Sequence, residues 1–213
     1  MNINFICTCG RKGGVDVGLG HFRRCMTLAE EFSSLGSQIN FCIYGTEIPP
    51  FLKEKKINLK NIQLKNFDSF LKEKDFNQGL KSNITFIDLS HLFFTRHTEN
   101  FFQLTQSIKN QTECLVLIDS LGKESIVLNS KKELLYDYLI VPYFGAEEEF
   151  EKKNNHLLGP EFFIFESSLD YFDQVDIPKI AKKICITCGG TDAQNLTPLI
   201  LKGLNRIEIP LKL

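Results

Sequence analysis

Two closely spaced glycines precede a histidine near the start of the chain. Gly18 and Gly20 let the backbone approach a ligand closely, because glycine has no side chain to obstruct it. We expect His21 in the first turn of a helix, where free N–H groups and positive potential favour a nearby anion. That potential also favours a neutral imidazole, the form a general base requires. The spacing therefore predicts base chemistry beside an anionic substrate, with Arg23 or Arg24 balancing its charge.

A plain helix start with a solvated histidine would leave the same short pattern. The full run here is Gly-x-Gly-His-x-x-Arg-Cys, and it directly follows a predicted strand. A longer motif in its expected structural context favours the catalytic interpretation over the structural one. The other histidines, His91, His97 and His156, are scattered and are interpreted as structural.

The surrounding elements predict how such a site would be positioned. The chain opens with the unit that starts a doubly wound sheet. It consists of a strand at residues 2–7, a glycine-rich loop, an amphipathic helix at 22–35 ending at Gly36 and a strand at Gln38–Tyr44. Further strands are predicted at 84–89, 114–118 and 136–141, with a helix at 95–109. The fold class is therefore α/β, with a Rossmann-like parallel sheet. Asp88 and Asp119 end two of these strands, so both should face the ligand crevice.

Composition narrows the class of partner. The chain has 213 residues, 43% of them hydrophobic, and a net charge of −1. This balance argues against a nucleic-acid surface, which needs a basic face, but it permits a small phosphate pocket. No leader peptide and no apolar run long enough to span a membrane is apparent, so a cytoplasmic location is expected.

The seven cysteines do not resemble a disulfide framework or a metal centre. Their number is odd and their spacing is wide. Cys7 and Cys9 share one face of a predicted strand, whereas Cys185 and Cys188 fall on opposite faces. Buried reduced thiols are expected, with no metal and no cofactor.

A second unit begins near the end of the chain. After a linker at 170–183 come a predicted strand at 184–188, a Gly189-Gly190-Thr191-Asp192 turn, a helix at 193–205 and a further strand near Leu211. We expect residues 1–180 to form the first domain and 181–213 to begin a second domain that is truncated or completed by another chain, with a homo-oligomer also possible. Gly189, Gly190 and Thr191 could bind phosphate, or Thr191 or Asp192 could simply cap the helix.

Three ordered motifs resemble one enzyme family. The run from Val17 through His21 to Ala29, the turn Leu157-Leu158-Gly159-Pro160 and the run Ile186 to Thr197 are similar to signatures of the UDP-2,4-diacetamido-2,4,6-trideoxy-β-L-altropyranose hydrolases of pseudaminic acid biosynthesis. Spore-coat polysaccharide biosynthesis proteins share these signatures. Their order and spacing agree across the chain.

The resemblance implies a GT-B architecture, with two Rossmann-like domains as in MurG-type glycosyltransferases. In it His21 would act as general base and activate water, so that UDP leaves an amino-deoxy sugar with inversion. The second domain would hold most of the nucleotide, and Asn195 falls in its Gly-Gly-Thr-Asp-x-x-Asn motif. The expected substrate-binding residues are Gly18, Gly20, Arg24, Asp88, Asp119, Gly189, Gly190, Thr191 and Asn195. No metal is implied.

Two strand ends depart from the family pattern. Asp88-Leu89-Ser90 stands where many members have Asp-x-Tyr, and Asp119-Ser120 stands where they have two acids. These differences leave a glycosyltransferase with a sugar acceptor open as an alternative to the hydrolase, and a non-catalytic fragment or partner subunit as a third. A nicotinamide-dependent dehydrogenase is disfavoured, because Gly-x-Gly-x-x-Gly is not in register.

Overall fold

The computed structural model describes residues 1–9, 19–44, 58–62, 81–89, 92–165, 184–188, 192 and 194–206. Within these residues, seven strands form one sheet in which every neighbouring pair is parallel, in the order β3-β2-β1-β4-β5-β6-β7. The strands are β1 (Asn2–Thr8), β2 (Gln38–Tyr44), β3 (Asn58–Ile62), β4 (Ser82–Asp88), β5 (Thr112–Ile118), β6 (Tyr138–Val141) and β7 (His156–Leu158).

Six α-helices fall in the described part of the chain, and two of them exceed ten residues. They are α1 (Gly20–Ser34), α2 (Leu92–Thr95), α3 (Thr98–Lys109), α4 (Ile126–Asn129), α5 (Ala146–Glu149) and α6 (Leu196–Leu204). Single 3-10 turns occupy Gly122–Glu124 and Pro160–Phe162. No helix among the described residues is both long and apolar enough to cross a membrane.

The α1 face of the sheet carries one of two hydrophobic clusters. Phe22, Cys25 and Ala29 of α1 pack on alternate residues of the central strands, including Phe5. The Phe5 ring stacks on Phe41 of β2 and Phe86 of β4, at centroid distances of 5.1 and 5.0 Å. This aromatic row crosses three strands, and the ring of Phe22 in α1 lies 5.9 Å from that of Phe41, so the helix that carries His21 packs directly on the row.

The opposite face is covered by α3 and the short helices. Phe101, Leu104 and Ile108 of α3 pack with Ile6 and Ile87 from the central strands. Helices thus cover both faces of a parallel sheet, which confirms the predicted doubly wound, Rossmann-like α/β class. Burial on both faces also explains why β5 has the run of buried apolar residues 115–118.

Most predicted elements are present, with ends shifted by one or two residues. The strand at Gln38–Tyr44 has the predicted bounds. The predicted helix at 95–109 is α3, which begins at Thr98 because His97 has a non-helical backbone with φ −127° and ψ 68°. The short helix α2, which precedes it, was not predicted. Helix α1 ends as expected, with Gly36 at φ +81°, a left-handed conformation that glycine accepts readily.

The predicted strand at 184–188 was wrong. These residues pair with no described strand, and an extended segment becomes a strand only through such pairing. The helix after it is α6, shorter than predicted at Leu196–Leu204. The further strand near Leu211 lies outside the described residues.

Candidate active site

The candidate site lies where the strand order reverses. The chain leaves β1 toward β2 on one side and later returns to β4 on the other, so β1 and β4 are neighbours with helices on opposite faces. Ligands of doubly wound sheets bind at this position, outside the carboxyl ends of the strands. His21 enters from the first turn of α1, and Asp88 is the last residue of β4.

His21 and Asp88 form a close hydrogen-bonded pair. Nδ1 of His21 lies 2.5 Å from Oδ1 of Asp88, and the side chains are 13% and 1% exposed. An ionised carboxylate has no proton to donate, so opposite one Nδ1–H is the donor. In the neutral form of the ring, this contact leaves the lone pair on Nε2, the arrangement a general base needs.

Arg24 binds the same carboxylate from the side. Its Nε donates to Oδ2 of Asp88 at 2.9 Å and its Nη2 donates to Oδ1 at 3.0 Å. The Nη2 group also donates to Oγ of Ser120 at 2.9 Å, just beyond β5. Nη2 lies 3.0 Å from Nδ1 of His21, but two N–H donors cannot bond each other, so this is a close approach around the shared Oδ1.

The carboxylate of Asp119, directly after β5, accepts hydrogen bonds from the loop that follows it. Its Oδ1 accepts from the backbone N–H of Leu121 at 3.2 Å, and its Oδ2 accepts from Ser125 Oγ at 2.6 Å and the N–H of Val127 at 3.2 Å. Burial raises the pKa of Asp119, and the nearby charge of Asp88 adds to the rise, while these hydrogen bonds oppose it. In the structure Asp119 shapes the loop that carries Ser120, and its binding of substrate stays a prediction.

The thiol beneath the site is protected from solvent. Cys25 follows Arg24 on α1, and both it and Cys7 of β1 are fully buried. Burial raises the pKa of the Cys25 thiol, and a hydrogen bond between the Cys25 and Cys7 side chains and the charge of Asp88 act in the same direction. A thiol held protonated is a poor nucleophile, so the structure gives no reactive role to Cys25. The expectation of buried thiols is confirmed for Cys7, Cys9, Cys25 and Cys42 but is wrong for the exposed Cys185.

Of the other predicted site residues, Gly20 begins α1 and is exposed, and a Cβ placed there would have nothing within 4 Å. Packing among the described residues therefore does not require a glycine at this position. Asn195 precedes α6 with φ 51°. Gly18, Gly189, Gly190 and Thr191 lie outside the described residues, so their binding roles stay predictions.

Asp192 takes the capping role that the sequence left open. Its two carboxylate oxygens accept from the backbone N–H groups of Leu196 and Thr197 at 2.7 and 3.0 Å. These bonds satisfy donors that a helix start otherwise leaves open, and they lower the pKa of Asp192.

Two of the remaining histidines lie in the described part of the chain, and His91 lies outside it. His156 is held by the Tyr136 hydroxyl at Nε2, 3.0 Å away, and by the Glu151 carbonyl at Nδ1, 2.7 Å away. Both of its ring nitrogens are thus used in local structure. His97 is exposed at the start of α3.

Among the described residues no group of three or more His, Cys, Asp or Glu side chains is placed to hold a metal ion. The fold and the site together define an α/β protein with a His–Asp–Arg cluster at the switch point of its sheet. Comparison with family models, curated proteins and solved structures found no match to this chain.

Proposed function

We propose that the chain is the catalytic half of a nucleotide-sugar hydrolase in which His21 is the general base. The observation that carries this proposal is the 2.5 Å contact between Nδ1 of His21 and the buried Asp88. A carboxylate behind Nδ1 fixes the tautomer, orients the ring and stabilises the imidazolium that forms when Nε2 takes a proton.

The proposed reaction is inverting cleavage of a UDP-linked amino-deoxy sugar by water. Nε2 of His21 removes a proton while the water oxygen forms a bond to the anomeric carbon. The bond between that carbon and the diphosphate oxygen breaks, and its electron pair leaves with UDP. The positive charge then on His21 is balanced by Asp88 on one side and attracts the anionic leaving group on the other.

The start of α1 supports an anionic substrate. Leu19, the residue before the helix, has no side chain that could cap the first N–H groups, and the first turn carries no acidic residue. A helix start usually gains stability from such groups. A start that lacks both among the described residues, beside a candidate base, is suited to a ligand that brings its own negative charge.

The identity of the nucleotide sugar rests on the resemblance of the three motifs. It implies a GT-B arrangement in which a second domain, beginning near residue 181, holds UDP and completes the cleft. Synthesis of a surface glycan or a nonulosonic acid in the cytoplasm is the role that this substrate would serve.

The test is UDP release from a panel of UDP-amino-sugars in ¹⁸O-labelled water. It uses both the 213-residue chain and a longer form carrying a complete second domain. We expect the longer form to release UDP without any acceptor, with ¹⁸O at the anomeric position of the free sugar, and the shorter chain to release little or none. Release only when a sugar acceptor is added would favour the glycosyltransferase alternative. No release from either form, with or without acceptors, would contradict both.

A further inference from the structure

We propose that Arg24 is a positioning residue that holds Asp88 in the orientation in which it binds His21. This inference deepens the proposed function and rests on it. It assigns Arg24 a role different from the one that its place in the motif predicts.

The guanidinium of Arg24 binds both oxygens of the Asp88 carboxylate. The Nε and Nη2 groups of Arg24 donate to the two different oxygens of Asp88 at 2.9 and 3.0 Å. This two-point geometry is available to arginine and not to lysine, whose ammonium is a point donor. If Asp88 were bound only by His21, its carboxylate could rotate about the Cβ–Cγ bond. The two hydrogen bonds from Arg24 prevent that rotation and keep Oδ1 directed at Nδ1 of His21.

Three elements of the fold contribute residues to the contact between Arg24 and Asp88. Arg24 lies three residues after His21 on α1, so both side chains leave the same face of the helix. Asp88 comes from β4, and Ser120 beyond β5 accepts from Nη2 at 2.9 Å. The contact ties the guanidinium to the neighbouring strand end and sets its angle to the carboxylate.

Three of the five N–H donors of Arg24 are directed at protein oxygens. They are the N–H of Nε and the two of Nη2, and the side chain is 17% exposed. Moving it to a substrate would leave Asp88, which is 1% exposed, with a buried charge and one partner fewer. Such a loss is costly in a buried site, so the observed pairing is expected to persist when substrate binds.

The first arm of the test is the ¹⁵N NMR signature of the His21 ring, recorded without substrate. Wild-type protein is expected to show the tautomer protonated at Nδ1. Arg24→Gln should shift the ring to a mixture of tautomers, and Arg24→Lys should retain a larger share of the wild-type signature than Arg24→Gln does. Arg96→Gln, a matched loss of charge at an exposed position between α2 and α3, should leave the signature unchanged. A wild-type signature in Arg24→Gln would overturn the proposal.

The second arm separates kcat from KM for UDP release. A positioning role predicts that Arg24→Gln lowers kcat by about tenfold or more with little change in KM, because the base is misaligned and substrate contacts are intact. A raised KM with unchanged kcat would show that Arg24 binds substrate. If His21→Ala is as active as wild type, the proposed base fails, and the NMR signature still decides whether Arg24 positions the ring.

Discussion

At the residue scale, one buried carboxylate holds the candidate site together. Asp88 accepts hydrogen bonds from His21 and from two nitrogens of Arg24. A carboxylate removed from water is stable only when such donors replace the lost hydration. The same bonds that make Asp88 tolerable in the sheet also aim His21, so local stability and the proposed catalysis depend on the same contacts.

Replacing Asp88 with Asn tests that dependence. The amide keeps the shape of the side chain but removes the charge that stabilises the imidazolium, and it can turn an N–H toward Nδ1 of His21. We expect kcat/KM for UDP release to fall by about 10²- to 10⁴-fold, the range that a positioned base contributes. Glu148→Gln, an equal loss of charge at an exposed position, is the control. Equal activity in the two variants would show that Asp88 is not coupled to the base.

Asp119→Asn tests the loop beyond β5. At least one of the three hydrogen bonds to the carboxylate is lost, so we expect the free energy of unfolding in urea to fall by about 1–3 kcal/mol. Because burial raises the pKa of Asp119, the folded state binds a proton more readily than the unfolded chain. The ordinary pKa of an Asp side chain is 3.8. As the pH rises above that value, the difference in the free energy of unfolding between wild type and the variant should therefore shrink. A difference that grows over that range would contradict this sign.

The chemistry of single residues was only partly predictable from the sequence. Strand-end positions indicated that Asp88 faces the crevice, and the Gly-x-Gly run singled out His21. Their pairing was not predictable, because the residues are 67 positions apart and meet only when β1 lies beside β4. Ser120 was missed as a site residue, although its place directly after Asp119 at a strand end was an available signal.

At the element scale, a strand could be predicted only where its sequence has a clear run of apolar residues. The central strands are apolar and covered on both faces, so their runs stand out in the sequence. The edge strands β3 and β7 were not predicted. β3 reads Asn-Leu-Lys-Asn-Ile and β7 has three residues, and neither carries a run long enough to signal a strand.

Leu104→Ala tests the packing of α3 on the sheet. Leu104 is fully buried in the cluster on that face. Its truncation should lower the free energy of unfolding by about 2–5 kcal/mol, the usual cost of a buried leucine. The matched control is Leu35→Ala just after α1, where the side chain is 79% exposed and a change within about 0.5 kcal/mol is expected. Similar values for the two variants would contradict the assigned core.

At the scale of the whole molecule, the described hydrophobic clusters draw on residues between 3 and 164. Helix α6 contributes no buried residue, and several of its apolar side chains, such as Leu199 at 64%, are exposed. The sequence indicated a second unit near this helix through its Gly-Gly-Thr-Asp turn. Strand pairing for that unit could not be predicted, because pairing depends on neighbours that a local pattern does not specify.

A chain ending at residue 165 should therefore fold. It keeps every strand of the described sheet and both clusters, so we expect an unfolding midpoint in urea close to that of the full chain. It also keeps His21, Arg24 and Asp88, and their ¹⁵N NMR signature should be unchanged. Failure of the shortened chain to fold would show that the segment after residue 165 belongs to the core.

The most direct test of the proposed chemistry compares His21→Ala with His97→Ala in UDP release from the best substrate of the panel. Each variant removes one imidazole, but only His21 is paired with the buried Asp88, whereas His97 is exposed at the start of α3. We predict that His21→Ala lowers kcat by at least about 10²-fold and that His97→Ala has wild-type activity. Equal rates for His21→Ala and wild type would contradict the assignment of His21 as the base.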